Sequence, residues 1–425
     1  MSEVAHIPQL RFPEFEGSWS SVSILGTTNP ELKYGIVDGP FGSNLKTIHY
    51  KKSGIPIITS GYVTDGFFNA DSYLYVTEEK FNKEKRSAVN GGDIVMAKIG
   101  ARCGSSAILP KNHPTGILSG NALKITVDNN SHSTNFIWQI LWSLYQGHKL
   151  DLLRTVGAQP AISIANLKKY KLSLPTKPEQ QKIAAFLTEV DTKIEQLSKK
   201  QELLGEYKKG LMQQIFSQAI RFKADDGSAF PVWEEKKLGD IGHTFNGLTG
   251  KTKDDFGRGK PYIQYMQIFE SSKINIDNFG LVDVRDDENQ KVAQYGDVFF
   301  TTSSETPDAV GYSSVLLDDI DKLYLNSFCF GFRPNSIDEL SPNFAQFLLR
   351  SAHFRRRVVR LAQGSTRYNM SKVQLMKEVI SLPCLKEQTK IANFLSSIDS
   401  KIEQVSKQLD ESKQFKKALL QQMFV

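Results

Sequence analysis

Apolar residues recur every three or four positions along two stretches of the chain. The first runs Ile183, Leu187, Val190, Ile194, Leu197, then Leu204, Leu211 and Ile215; the second runs Ile391, Leu395, Ile398, Ile402, Val405, Leu409, Leu419 and Met423. A period of about 3.5 residues predicts two long helices whose apolar stripe forms a coiled-coil seam. Gln201 and Lys208 interrupt the first stripe, and Ser412 and Lys416 the second. Thr176 and Glu179 fit a capping box, with Pro178 tolerated in the first turn. A helix of about 40 residues spans roughly 60 Å.

The two helical stretches are copies of one another. Residues 174–216 and 382–424 align without a gap, with 22 of 43 positions identical. Other segments repeat more loosely. "RFPEFEGSW" (11–19) is echoed by "RFKADDGSAFPVW" (221–233), Gly92-Asp93-Ile94-Val95 by Gly296-Asp297-Val298-Phe299, and "GAQPAISIANLKKYKLSLP" by "GSTRYNMSKVQLMKEVISLP". Two copies of such length signify a duplicated domain rather than a solenoid. Between the helices, short β-branched and aromatic runs alternate with Gly, Pro and Asn clusters and with amphipathic stretches such as "TNFIWQILWSLYQ" and "NFAQFLLRSAHFRRRVVRLA". The expected fold is therefore α+β: a globular domain at 1–173, a helical spacer at 174–217, a second globular domain at 218–381 and a distal helical spacer at 382–425. The two helices are expected to pack antiparallel with pseudo-twofold symmetry, and the leader near Arg11 to lie beside the C-terminal end of the second helix. "GPFGSNLK" finds no close counterpart in "NGLTGKTK", so the polar loops diverge while the helices match.

Composition narrows the picture. The chain has 425 residues, 23% charged and 40% hydrophobic, as in a soluble protein of two or more domains. No apolar run approaches the ~18 residues of a membrane span, and "MSEVAHIPQL" does not resemble a secretory signal. Cys103, Cys329 and Cys384 are too few and too dispersed for a disulfide framework or a zinc site, which points to the cytoplasm. The net charge of +7 and pI of about 9.0 favour a polyanionic partner.

Catalytic patterns are near misses. "GLTGKT" (247–252) has Phe245 where a P-loop needs glycine, and leaves Lys251 and Thr252 in a flexible basic loop. Pro307-Asp308 lacks the downstream spacing of a nuclease. No HExxH, GxSxG or amino-methyltransferase motif occurs. A chain of this kind reads as a binding scaffold. Its polar loops suit DNA, whose phosphates are held by Lys, Arg, hydroxyls and backbone amides, and whose base edges are read by Asn (adenine) and Lys or Arg (guanine). The candidate contacts in the first half are Ser43, Asn44, Lys46, Lys98 and Arg102, then Arg154, Gln159 and Ser163. In the second half they are Lys251, Thr252, Ser303 and Ser304, then Arg357, Arg360, Ser365, Thr366, Arg367 and Tyr368. The competing reading is a coiled-coil scaffold for proteins alone, with merely solvated basic faces.

The residues that carry the duplication also carry a resemblance. "LPTKPEQQKIAAFLTEVDTKIEQL", "LPCLKEQTKIANFLSSIDSKIEQV", "PQLRFPEFEGSW", "DGPFGSNLK" and the loop before each "LP" resemble the DNA-specificity subunit of Type I restriction–modification enzymes. "GAQPAISIANL" departs from that pattern, being one residue shorter and more apolar than its partner. The resemblance implies two target recognition domains, each reading one half of a split, asymmetric double-stranded DNA sequence. It implies paired helices that separate the domains and dock two methyltransferase subunits. S-adenosylmethionine, ATP and magnesium are expected on those methyltransferase and restriction subunits. This chain would bear no catalysis, cofactor or metal, and no membrane contact.

Overall fold

The computed structural model describes residues 7–155 and 159–424, the side chain of Ser43 excepted. The chain divides into two compact units, one made of the first 196 residues with 408–425, the other of Leu197–Lys407. Each long helix therefore contributes to both units.

In the first unit a four-stranded antiparallel sheet runs in the order Ile36–Asp38, Ala122–Ile125, Ile94–Ala97, Ser106–Ile108. A second sheet of four strands includes one parallel pair, Ile117 against Ile57. The second unit repeats this plan. Gly242–Asn246, Cys329–Pro334, Val298–Thr301 and Ser313–Val315 form its antiparallel sheet, and the parallel pair is Tyr262 against Tyr324. These strands are short, hydrophobic and bounded by turns, as their sequences predict, and both faces of Ile94–Ala97 and of Val298–Thr301 are buried.

Each unit binds its long helices by the same rule. A strand at the start of the domain pairs with the strand leading into the helix: Ser20–Ser23 with Lys171–Leu174, and Glu234–Lys237 with Val379–Leu382. The first long helix, Lys177–Phe216, begins in the core of unit 1, where Ile183 and Leu187 pack among Phe136, Leu172, Leu419 and Met423. The second, Leu385–Met423, begins in the core of unit 2, where Ile391, Leu395 and Ile398 meet Phe344, Phe347, Ile215 and Phe216. In both units the start of one helix lies against the end of the other, so the helices are antiparallel.

The seam accordingly has two regimes. Its first apolar positions are domain core, whereas Val190, Ile194, Leu197 and Ile402 are half-buried and Val405 is buried. The two lysines among the polar interruptions pair with the facing helix. Lys208 pairs with Asp399 at 2.5 Å and lies over the Phe347 ring in unit 2. Lys416 pairs with Asp191 at 2.5 Å in unit 1. These are the same two positions of the repeat with the helices exchanged.

The leaders are pinned in a way their sequences did not announce. Glu179, expected to close a capping box, instead receives the Arg11 guanidinium at 2.8 Å on each oxygen and the Trp19 indole at 3.4 Å. Glu387 holds Arg221 and Trp233 in the same way, the indole donating at 3.1 Å to the other carboxylate oxygen. The leader does reach the C-terminal end of the second helix: the Leu10 amide donates to the Gln422 carbonyl at 2.9 Å. No helix among the described residues is long and apolar enough to cross a membrane.

Candidate nucleic-acid interface

Three loops carry the candidate contacts, and in each unit two of them are tied together through backbone. In unit 1 the Ile162 amide donates to the Lys98 carbonyl and the Gly100 amide to the Pro160 carbonyl, tying the 98–103 loop to the 154–163 loop. The "GPFGSNLK" loop joins them through Lys98, which pairs with Asp38 at 2.5 Å and lies 4.2 Å from the Phe41 ring centre. In unit 2 the Met370 amide donates to the Thr302 carbonyl, the equivalent bond. Ser303 and Ser304 then pair with Asn369 and Tyr368, completing a small sheet with Ala362–Gln363.

The glycines correct the expected divergence of the first loop. Gly39 runs so close to the Ser119 backbone that a Cβ would sit 2.2 Å from its carbonyl oxygen, and at Gly247 the distance to the Asn326 oxygen is 2.1 Å. Gly42 and Gly250 both have positive φ, 56° and 68°. "GPFGSNLK" and "GLTGKT" therefore hold the same place. The sequence comparison missed this because backbone geometry is retained while the side chains differ.

The candidates differ in what their side chains do. Asn44, Lys46 and Gln159 are exposed, and Arg102 donates to the Thr64 hydroxyl from an exposed position. Arg154 is turned inward to the Cys103 carbonyl at 2.7 Å and to Asp151. Ser163 caps the short helix Ile164–Lys169. The side chain of Ser43, with Gly157 and Ala158, lies outside the described residues.

In unit 2, Ser365, Thr366, Arg367 and Arg360 are exposed, and Tyr368 is half-buried. Arg357 points inward and donates to the Val379 carbonyl. Lys251 is nearly buried against Glu288 at 2.6 Å, and their hydrogen bond holds the Glu288 carboxyl down at about 2. Thr252 is bound to Asp255. Lys251 and Thr252 thus form a braced turn, not the flexible basic loop read from the sequence.

The structure also adds residues that sequence reasoning passed over. A cavity of about 510 Å³ beside Ser303, Ser304 and Arg367 is lined by Tyr265 and Phe328. Phe328 is 63% exposed, and Tyr265 stacks on Phe269 while donating to the Ser303 carbonyl. Arg355, which the sequence groups with the basic run 355–360 as a DNA-facing cation, instead donates to the carbonyls of Asp308, Val310 and Gly311, bracing the segment behind Ser303 and Ser304. Phe328 sits in the turn before the strand Cys329–Pro334, its amide donating to the Asn326 side chain, and no periodic pattern marked it as outward-facing.

Two duplicated α+β domains, each with exposed polar loops and joined to a pair of long helices, define the architecture of the chain. The Type I restriction modification DNA specificity domain matches residues 42–204 and again 232–412, and the chain belongs to that family. It is 26% identical over 388 residues to the Type I restriction enzyme MjaVIII specificity subunit of Methanocaldococcus jannaschii, covering 86% of this chain and 84% of that one. Its fold is similar to the crystal structure of a Type I restriction–modification S subunit from M. genitalium, with a TM-score of 0.57 and 16% identity over 99% of both chains. A chain from a study of Type I complex assembly and conformational transition matches with a TM-score of 0.54 and 16% identity, over 95% of this chain and 96% of that one.

Proposed function

We propose that the chain reads a bipartite, asymmetric double-stranded DNA target. Residues 1–173 serve one half-site and 218–381 the other, while the paired helices dock two methyltransferase subunits and, through them, restriction subunits. The chain performs no chemical step; S-adenosylmethionine, ATP and magnesium belong to its partners, and the complex works in the cytoplasm. The observation that carries this reading is the recurrence of one loop assembly in both units with different exposed side chains: Asn44, Lys46, Arg102 and Gln159 in one, Ser365, Thr366 and Arg367 in the other.

Sequencing methylated DNA from cells that express the chain with its methyltransferase tests it. Arg367→Ala should weaken target binding by about 1–3 kcal/mol and relax the requirement at one position of one half-site. Arg102→Ala should act only on the other half-site. Affinity should fall steeply with salt as phosphate contacts are lost. Absence of DNA affinity in the presence of the methyltransferase would favour the protein-scaffold reading instead.

A further inference from the structure

The two units differ in one place where the duplication should have made them alike. In unit 1 a groove of about 590 Å³ opens between the helix Thr134–Gln146, the strand Lys171–Leu174 and the end of the second long helix. Its floor is apolar and includes Ile140, Trp142, Leu172, Leu420 and Phe424. Its rim carries Lys149, Lys171, Lys413, Lys416 and Lys417. Lys416 is paired with Asp191; the other four have no carboxylate partner among the described residues.

In unit 2 the equivalent place has only about 20 Å³ of free space. The chain's own helix Ala352–Val359 fills it. Phe354 is 2% exposed there, and Arg357 reaches across to the Val379 carbonyl. Among the described residues between Gln146 and Lys171, unit 1 has only a 3-10 turn, Lys149–Leu153, in that place; its short helix Ile164–Lys169 has its own counterpart in Lys372–Leu375 of unit 2. The charge differs too: Val379 and Gly205 of unit 2 occupy the repeat positions of Lys171 and Lys413.

We propose that the unit 1 groove receives an acidic amphipathic helix, about two turns long, from a partner protein, in the place that Ala352–Val359 fills in unit 2. The apolar floor calls for an apolar helix face, and the lysine rim calls for carboxylates beside that face. A phosphate backbone would satisfy the lysines but leave the floor unfilled, so a protein segment is the occupant. This inference extends the role in a multisubunit complex and does not depend on the DNA reading.

The test uses the full chain assembled with its methyltransferase subunits, with a photo-crosslinking benzoylphenylalanine in place of Gln421, an exposed residue of the groove. The expected crosslink is to a partner segment with Asp and Glu along one helical face. Lys413→Glu with Lys417→Glu, both at exposed positions, should lower its yield at least tenfold with the helical circular dichroism unchanged. Replacing the carboxylates of the crosslinked segment by Lys should restore the yield against that double variant. The sequence of methylated sites should be unaltered, so a failure here is separable from a failure of DNA reading. Crosslinking to DNA or to a basic segment, no protein crosslink, or a yield indifferent to charge reversal would each overturn the proposal.

Discussion

Glu179 and Glu387 are 1% and 0% exposed, yet each is fully satisfied by a forked guanidinium and an indole from its leader. Removing the carboxylate strands a partly buried cation and an unpaired N–H. Glu179→Ala or Glu387→Ala should therefore destabilise the fold by about 2–4 kcal/mol, read as a lower urea midpoint. Glu→Gln should cost less, because the amide oxygen still accepts one bond. A loss below about 0.5 kcal/mol for both alanine variants would mean that the leaders are not held this way. The sequence displayed Arg, Trp and Glu in both copies but not their partnership, because Arg11 and Glu179 lie 168 residues apart and meet only in the folded chain. The same physics hid the inward roles of Arg154, Arg355 and Arg357. A cation on a short basic helix reads as solvated or phosphate-facing until the carbonyls it meets are known.

At the scale of the elements, periodicity was a dependable guide to the long helices and a partial guide to their packing. The 3.5-residue pattern is shared by a coiled-coil seam and by a helix end sunk in a domain core, and only the structure separates Ile183 and Leu187 from Ile194 and Leu197. The lysines that seemed to break the seam are paired across it, Lys208 with Asp399 and Lys416 with Asp191. Lys208→Asp should therefore place two carboxylates together and cost about 1 kcal/mol, discounted for partial exposure. Asp399→Lys should recover most of that loss, with a coupling of about 1 kcal/mol in a double-mutant cycle. Asp191→Lys, at the repeat-equivalent position, should not rescue it. Rescue by Asp191→Lys and not by Asp399→Lys would require a different register for the two helices.

For the whole molecule, the decisive feature is that unit 2 is one continuous segment while unit 1 is closed by two separate ones. The units nonetheless share a joint. In unit 2 the Ile220 amide donates to the Gln214 carbonyl as the first helix runs into the second leader. In unit 1 the bond from Leu10 to Gln422 does the same work between segments from opposite ends of the chain. A noncovalent joint thus suffices in one unit where a covalent one serves in the other, and the two should be exchangeable. Joining residue 425 directly to residue 1 lets 423–425 and 1–9 supply the connection in unit 1. Opening the chain between Gln218 and Ala219, exposed residues just beyond the helix end, leaves unit 2 closed as unit 1 is now. Loop-closure entropy changes only slowly with loop length, so the exchange should shift stability by no more than about 1–2 kcal/mol. The permuted chain, expressed with the methyltransferase, should keep its helical circular dichroism and direct methylation to the same target. An insoluble permutant, or one that loses the half-site read by unit 2, would show that the covalent link at Ser217–Ala219 does more than hold the leader to the helix.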